Sequence, residues 1–274
     1  MDYAVVKASL APLRFEPSEN AKIEDEVLFG MAAEVLEQKD GWLKVRTHYE
    51  YEGWLQADTL ETDPAKTKPW ATGGKMTARA PWVDVMAAPD AESARVAELP
   101  RGGLLHPVGE ADAGGWLPVE LPGGGRGYAK SGNLMPRLTD WKVAEDKGKL
   151  REAIANTALS YLGTQYRSGG KTPLGIDCSG LASMAYLLNG AVIWRDAEFK
   201  AGFGLKEIGR ETLGMGDLIY FKGHMAVYLA DGMYVHSTGR DGSDGVVLNS
   251  LREDSTVYRK DLAENVLCCA SLFE

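Results

Sequence analysis

Cysteine is scarce, with three in 274 residues. That is too few for a disulfide framework, and unpaired thiols suit a reducing compartment. A basic excess is missing too. Lysine and arginine number 30 against 39 acidic residues, a formal charge of −9. With no basic block, nucleic acid is a poor partner. No apolar run reaches about 18 residues, so no helical membrane span is expected. The run Met1-Asp2-Tyr3-Ala4-Val5-Val6-Lys7 lacks the charged and apolar regions of a signal peptide. The chain is therefore expected in the cytoplasm, or in the cell envelope or outside the cell if a leader preceded it. Compact ligand pairs such as C-x-x-C or H-x-x-x-H are absent, and neither metal nor cofactor is expected. A monomer is expected.

What is present begins with Asp177-Cys178-Ser179-Gly180, followed by Leu181 to Leu188 and closed by Asn189-Gly190. Leu181, Ala185 and Leu188 fall on one helical face at i, i+4, i+7. Asp177 is a natural N-cap and Gly190 a natural stop. Cys178 then occupies the first turn, where the positive end of the helix dipole should favour its thiolate and lower its pKa. A buried structural cysteine has no need of that position. Cys178 is the candidate nucleophile.

The chain has four histidines, and two lie close together downstream. Leu218 to Phe221, His224 to Ala230 and Met233 to Ser237 read as three β-strands, with Asp231-Gly232 at the tightest turn. A cysteine attacking an amide needs an imidazole to hold the ion pair and later protonate the leaving amine, and that imidazole needs a polar neighbour to fix its tautomer. Cys178, His224 and His236 would supply these parts. A regular hairpin with a two-residue turn would pair 227 with 236 and set the histidines on opposite faces. One bulge or a three-residue loop restores a shared face. Two unrelated strand histidines, or a Cys/His/His zinc site, are the alternatives.

The first half contains a repeat. Gly41-Trp42-Leu43-Lys44-Val45, Gly53-Trp54-Leu55 and Leu60 recur as Gly115-Trp116-Leu117-Pro118-Val119, Gly127-Tyr128-Ala129 and Leu134, every pair offset by 74 residues. A period of this size means two copies of one domain rather than a solenoid. Short apolar runs between Gly-, Pro- and Asp-containing turns are a small β-barrel pattern. Trp42 and Trp116 read as barrel packing. Thr62 to Gly74, with its prolines, glycines and lysines, reads as a linker. Asp140 to Gly148 is the second junction, and a helix from Lys149 to Leu162 opens the last domain. The predicted domains are residues 1–65, 75–139 and 145–274.

These residues carry a resemblance. Tyr161-Leu162-Gly163-Thr164-Gln165-Tyr166-Arg167-Ser168-Gly169-Gly170, then Asp177-Cys178-Ser179-Gly180, Gly216-Asp217-Leu218, His224 and His236 resemble the NlpC-type cell-wall cysteine peptidases. The resemblance implies an α+β chain: a papain-like core preceded by two small SH3-like (SH3b) β-barrels, with Cys178 as nucleophile, His224 as base and His236 as orienting residue. The family usually has an aromatic residue where this chain has Ser168. Two SH3b copies before such a domain resemble the γ-D-glutamyl-L-diamino acid endopeptidases of the YkfC type, and Trp194-Arg195-Asp196-Ala197 adds to the likeness. Ala197 stands where that branch commonly has Ser.

The resemblance implies that Asp196, with acidic and tyrosine groups from the first barrel, binds the free amine of an N-terminal L-Ala. A primary ammonium wants a carboxylate and further acceptors in a partly dry pocket. Tyr51 is the candidate tyrosine and Glu16 the candidate acid, with Glu24 and Glu26 as rivals; Tyr166, Asp177 and Ser179 complete the candidate substrate contacts. The expected substrates are peptidoglycan stem peptides of the form L-Ala-γ-D-Glu-diamino acid. A wall-binding module with a decayed peptidase domain, or an amidase or acyltransferase with the same triad, stays open.

Overall fold

The computed structural model describes residues 3–273, which divide into two compact units at Arg137/Leu138. In the first unit the 74-residue repeat becomes one sheet built twice. Strands β1 (Tyr3–Val6), β2 (Leu10–Arg14), β3 (Ile23–Leu28), β4 (Ala32–Lys39), β5 (Trp42–Thr47), β6 (Glu52–Gln56) and β7 (Leu60–Glu61) pair in the order β3-β2-β6-β5-β4-β1-β7. Strands β8 (Met76–Ala78), β9 (Trp82–Met86), β10 (Arg95–Pro100), β11 (Leu104–Pro107), β12 (Trp116–Glu120), β13 (Arg126–Lys130) and β14 (Leu134–Pro136) pair as β10-β9-β13-β12-β11-β8-β14. The second order is the first advanced by seven strands. In each copy the Gly-Trp step has one physical meaning. Gly41 and Gly115 hold φ of 83° and 76°, a left-handed turn that glycine adopts without strain. The following Trp42 and Trp116 are then buried. Lys130 lies over the Trp116 ring, 4.0 Å from its centroid.

The stretch expected as a bare linker is helical. Helix α1 (Pro64–Thr72) starts where the Asp63 carboxylate accepts from the Ala65 amide at 2.9 Å, with Pro64 at the position where its missing N–H costs nothing. Trp70 on this helix is buried and donates Nε1–H to the Gly30 carbonyl at 2.8 Å. One residue earlier in the same turn, Phe29 lies in the apolar core of the second sheet with Val83, Leu99, Leu105 and Val119. The Leu104 amide closes the junction by donating to the Phe29 carbonyl at 2.8 Å.

The second unit is a helical layer on a sheet. Helix α2 (Lys147–Leu159) is capped by Asp146. The short strands β15 (Lys171–Thr172) and β16 (Gly175–Ile176) lead into helix α3 (Cys178–Leu187), which packs against α2. Strands β17 (Lys206–Ile208), β18 (Leu218–Phe221), β19 (His224–Tyr228), β20 (Met233–Arg240) and β21 (Ser243–Ser250), then helix α4 (Lys260–Ala263) and strand β22 (Val266–Ser271), complete the chain. The six-stranded antiparallel sheet runs β17-β22-β18-β19-β20-β21, with α3 against β19 and β20. Gly216-Asp217 ties these layers together. Buried Asp217 pairs with Arg151 of α2 at 2.8 Å, and the Gly216 carbonyl accepts from the Tyr186 hydroxyl of α3 at 2.5 Å. In β22 Cys269 is buried and Cys268 half-buried, since adjacent strand residues face opposite ways.

Removing the Trp70 ring deletes an apolar wedge and an indole hydrogen bond. Trp70→Ala is expected to lower stability by about 3–5 kcal/mol, read as a shift in the denaturant midpoint of unfolding. A loss below about 1 kcal/mol would show that α1 is not needed to hold the two sheets.

Candidate active site

Helix α3 begins as its sequence dictates. Asp177 is the N-cap, and its Oδ1 accepts from the Gly180 amide at 2.6 Å. Cys178 is the first helical residue. The chain crosses close beneath this turn: a β-carbon at Gly180 would stand 2.1 Å from the Gly170 carbonyl oxygen, so only glycine fits. The rest of Asp177 is equally engaged. Oδ1 also accepts from Arg195 Nη1 at 3.0 Å and faces the Ser179 hydroxyl at 3.3 Å. Oδ2 accepts from the Gly169 amide at 2.8 Å and from Arg195 Nη2 at 3.1 Å. Arg195 is 1% exposed and also donates to Ser179 Oγ at 2.7 Å.

The amide N–H groups of Met225 and Ser179 both reach the Cys178 sulfur, which sets this thiol beside the start of β19. The next question is register. Val227 pairs with Val235 and Tyr228 with Tyr234. Leu229 N donates to the Met233 carbonyl and Met233 N to that of Ala230, enclosing Ala230, Asp231 and Gly232. Asp231 and Gly232 hold φ of 50° and 81°. This three-residue loop shifts the pairing by one from a two-residue hairpin, so His224 and His236 share a face. Their rings meet, with His224 Nε2 and His236 Nδ1 2.6 Å apart. On the far side, His236 Nε2 lies 2.8 Å from Asn249 Oδ1.

The electrostatics reverse one expectation. The helix start should lower the Cys178 pKa, yet burial, followed by the Asp177 carboxylate, pushes the thiol up to about 11. The N–H donors of Met225 and Ser179 and the charge of Arg195 act the other way and lose. Burial and then His236 bring His224 down to about 3, and burial brings His236 down to about 4 despite its Asn249 hydrogen bond. Cys178 is then a neutral thiol and His224 a neutral imidazole, a state that suits general-base activation rather than a standing ion pair.

Of the other candidates, Tyr166 lies near the sulfur. Its pKa is raised by burial and then by the neighbouring Cys178 and Asp177 charges. Asp196 follows the buried Arg195 and is partly exposed, as is Ala197, while Ser168 is exposed. In the first unit Tyr51 is buried, and its hydroxyl donates to Glu24 Oε2 at 3.3 Å. Of the acids weighed for this site, Glu16 is exposed on the turn after β2 and Glu26 is buried. Sequence reasoning missed buried Asp25, which accepts from the Tyr49 hydroxyl at 2.5 Å. It missed Asn249 as well. No cluster of metal-ligating side chains occurs among the described residues, and no described helix is long and apolar enough to cross a membrane.

Comparison with known proteins adds to this geometry. A model of the NlpC/P60 family matches residues 163–262, and one described as a bacterial dipeptidyl-peptidase Sh3 domain matches residues 13–60. Dipeptidyl-peptidase 6 of Lysinibacillus sphaericus is 41% identical over 98% of this chain and 99% of its own length. The γ-D-glutamyl-L-lysine dipeptidyl-peptidase of Bacillus cereus is 26% identical over 82% of this chain and 70% of its own. The crystal structure of an NlpC/P60 family protein from Bacillus cereus aligns with a TM-score of 0.82 over 99% of this chain and 100% of that one, at 20% identity. That last likeness is one of fold.

The histidine shifts carry a pH dependence. Both folded pKa values lie below the unfolded value near 6.5, so the unfolded chain takes up protons first as pH falls. The two rings' contribution to stability is full above about pH 6.5 and is lost as pH drops toward 4 and 3. Thermal unfolding followed from pH 7.5 to 4.5 should show a falling Tm, and the His224→Gln/His236→Gln variant a flatter profile. Parallel profiles would contradict two buried neutral rings.

Proposed function

Because the chain belongs to the NlpC/P60 family, and so is a cysteine peptidase with a papain-like α+β domain behind SH3-like barrels, we propose that it hydrolyses the γ-D-glutamyl–L-diamino acid amide of peptidoglycan stem peptides. The observation that carries this reading is Cys178 at the start of α3, beside a β19–β20 hairpin whose histidines are in hydrogen-bond contact. The similarity to a γ-D-glutamyl-L-lysine dipeptidyl-peptidase and to dipeptidyl-peptidase 6 supports the substrate class.

In this mechanism Cys178 Sγ attacks the γ-carbonyl carbon of D-Glu while its proton passes to His224. The Cys178 amide, at the helix start, donates to the oxyanion as it forms. His224 returns the proton to the departing diamino acid nitrogen as the C–N bond breaks, leaving a thioester. A water then attacks that carbonyl and gives its proton to His224, and the restored thiol leaves with that proton. His236 holds the His224 ring throughout. Cleavage after a dipeptide requires that the enzyme read the chain end. Asp196 is the proposed carboxylate for the L-Ala ammonium. The preferred substrates are then short free peptides rather than intact wall, where that amine is amide-linked. Three unpaired thiols fit a reducing compartment, and we place the enzyme in the cytoplasm, in peptide recycling.

Incubation with L-Ala-γ-D-Glu-diaminopimelate should release the diamino acid, and Cys178→Ala should reduce kcat by about four orders of magnitude or more. Turnover by that variant within tenfold of the parent would sink the nucleophile assignment, and no release by either form would favour a binding module.

Charge-assisted hydrogen bonds to the ammonium should be worth about 1.5–3 kcal/mol. N-acetylating the L-Ala should therefore lower kcat/KM about tenfold or more, and Asp196→Ala should erase most of the difference between the two peptides. Equal cleavage of free and acetylated peptide would point to a general wall hydrolase.

A further inference from the structure

We propose that Asn249 is a positioning residue for the peptidase reaction, its side-chain amide holding both His236 and His224 as the Nε2–H tautomer so that His224 Nδ1 is left free to take the Cys178 proton. The inference rests on the proposed roles of Cys178, His224 and His236. It begins with register. Tyr234 pairs with Asn249 and His236 with Val247 across β20 and β21. Asn249 therefore shares the face of His236, diagonally across the pair, and its Oδ1 lies 2.8 Å from His236 Nε2.

The orientation of the amide follows from its other end. Asn249 Nδ2 lies 3.0 Å from the Val257 carbonyl oxygen, a group that can only accept. The same carbonyl takes the Ser250 amide at 3.0 Å, which fixes it in place. Nδ2 must face Val257 and Oδ1 must face His236. An amide oxygen only accepts, so His236 Nε2 carries the hydrogen. In the neutral ring Nδ1 is then a lone pair, and at 2.6 Å it accepts from His224 Nε2–H. His224 Nδ1 is left bare. When the Cys178 proton arrives there, His224 becomes an imidazolium that still donates through Nε2, and no other proton has to move.

The opposite amide orientation would give the opposite result. Nδ2 would donate to His236 Nε2, His236 Nδ1 would carry the hydrogen and donate to His224 Nε2, and His224 Nδ1 would already be protonated. Neither nitrogen of His224 would then have a free lone pair for the thiol proton. One amide rotation thus separates a competent relay from a blocked one, and the Val257 carbonyl selects between them. An amide, unlike a carboxylate, sets the tautomer without adding a negative charge to stabilise the imidazolium.

The experiment uses the full chain with 15N-labelled histidine and long-range 1H–15N spectra at pH 7, alongside kinetics on L-Ala-γ-D-Glu-diaminopimelate. The parent should show both rings neutral and Nε2-protonated. Asn249→Leu, with no acceptor, should mix the tautomers and lower kcat about ten- to a hundredfold at nearly constant KM. Asn249→Asp keeps an acceptor and adds charge. It should retain both tautomers and move the acid limb of kcat upward by about one pH unit or more. The other charges facing the rings, Arg259 and Asp261, stay the same in that comparison. A parent His236 protonated at Nδ1, or an Asn249→Leu protein unchanged in both spectrum and kcat, would overturn the proposal. If Asn249→Leu does not fold, the parent and Asn249→Asp spectra decide. If the parent cleaves nothing, the peptidase reading fails on its own, while the tautomers still judge Asn249.

Discussion

The carboxylate of Asp177 holds the second unit's working end together. It caps α3, fixes the Gly169 amide and neutralises Arg195. A guanidinium buried to this degree has no stable place without a partner, and stripping the partner from a buried pair commonly costs about 3–5 kcal/mol. The same anchor works against the chemistry it positions, because a negative charge next to Cys178 disfavours a second one on sulfur. The scaffold that places Cys178 at the helix start also keeps it a thiol. In the proposed mechanism, activation then comes from a base that removes the proton at the moment of attack, the part given to the histidine pair.

That relay depends on a loop of three residues. With two, the strand alternation would turn one imidazole toward the opposite face of the sheet. Ala230 is the extra residue, and the left-handed pair Asp231-Gly232 closes the turn around it. Behind the rings the relay ends on a neutral amide and a backbone carbonyl. Its geometry is well determined, but its charge stabilisation is modest, in keeping with two rings that both resist protonation.

What could be read from the amino acids was whatever is local. The cap, the cysteine at the first helical position and the glycine stop all lie within one helix. The barrel repeat declared itself because its glycines and tryptophans recur at one spacing. What needed tertiary information was missed or inverted. The dipole at a helix start is a local effect, while the burial that outweighs it is set by the packing of α3 against the sheet. Tyr51 meets Glu24, one of the acids weighed beside Glu16, a contact that only the fold could show. Asn249 follows a second Asp-Gly turn, at Asp241-Gly242, and the apolar run Val246-Val247-Leu248, so its strand was within reach of pattern reading. Its contact with His236 needed the register. The prolines of 62–74 looked like breakers, but one of them starts a helix held by Trp70.

The shared core of the two barrels changes what counts as a building block here. Duplicated domains are often treated as beads that can be moved, lost or exchanged one at a time. Phe29 belongs by sequence to the first copy and by packing to the second. Neither copy is therefore a complete interchangeable part, since excising the first would leave a ring-sized hole in the other. Once that side chain crossed over, the duplicate ceased to be spare material. A change in the first copy's turn at Phe29 is thus felt in its neighbour's interior.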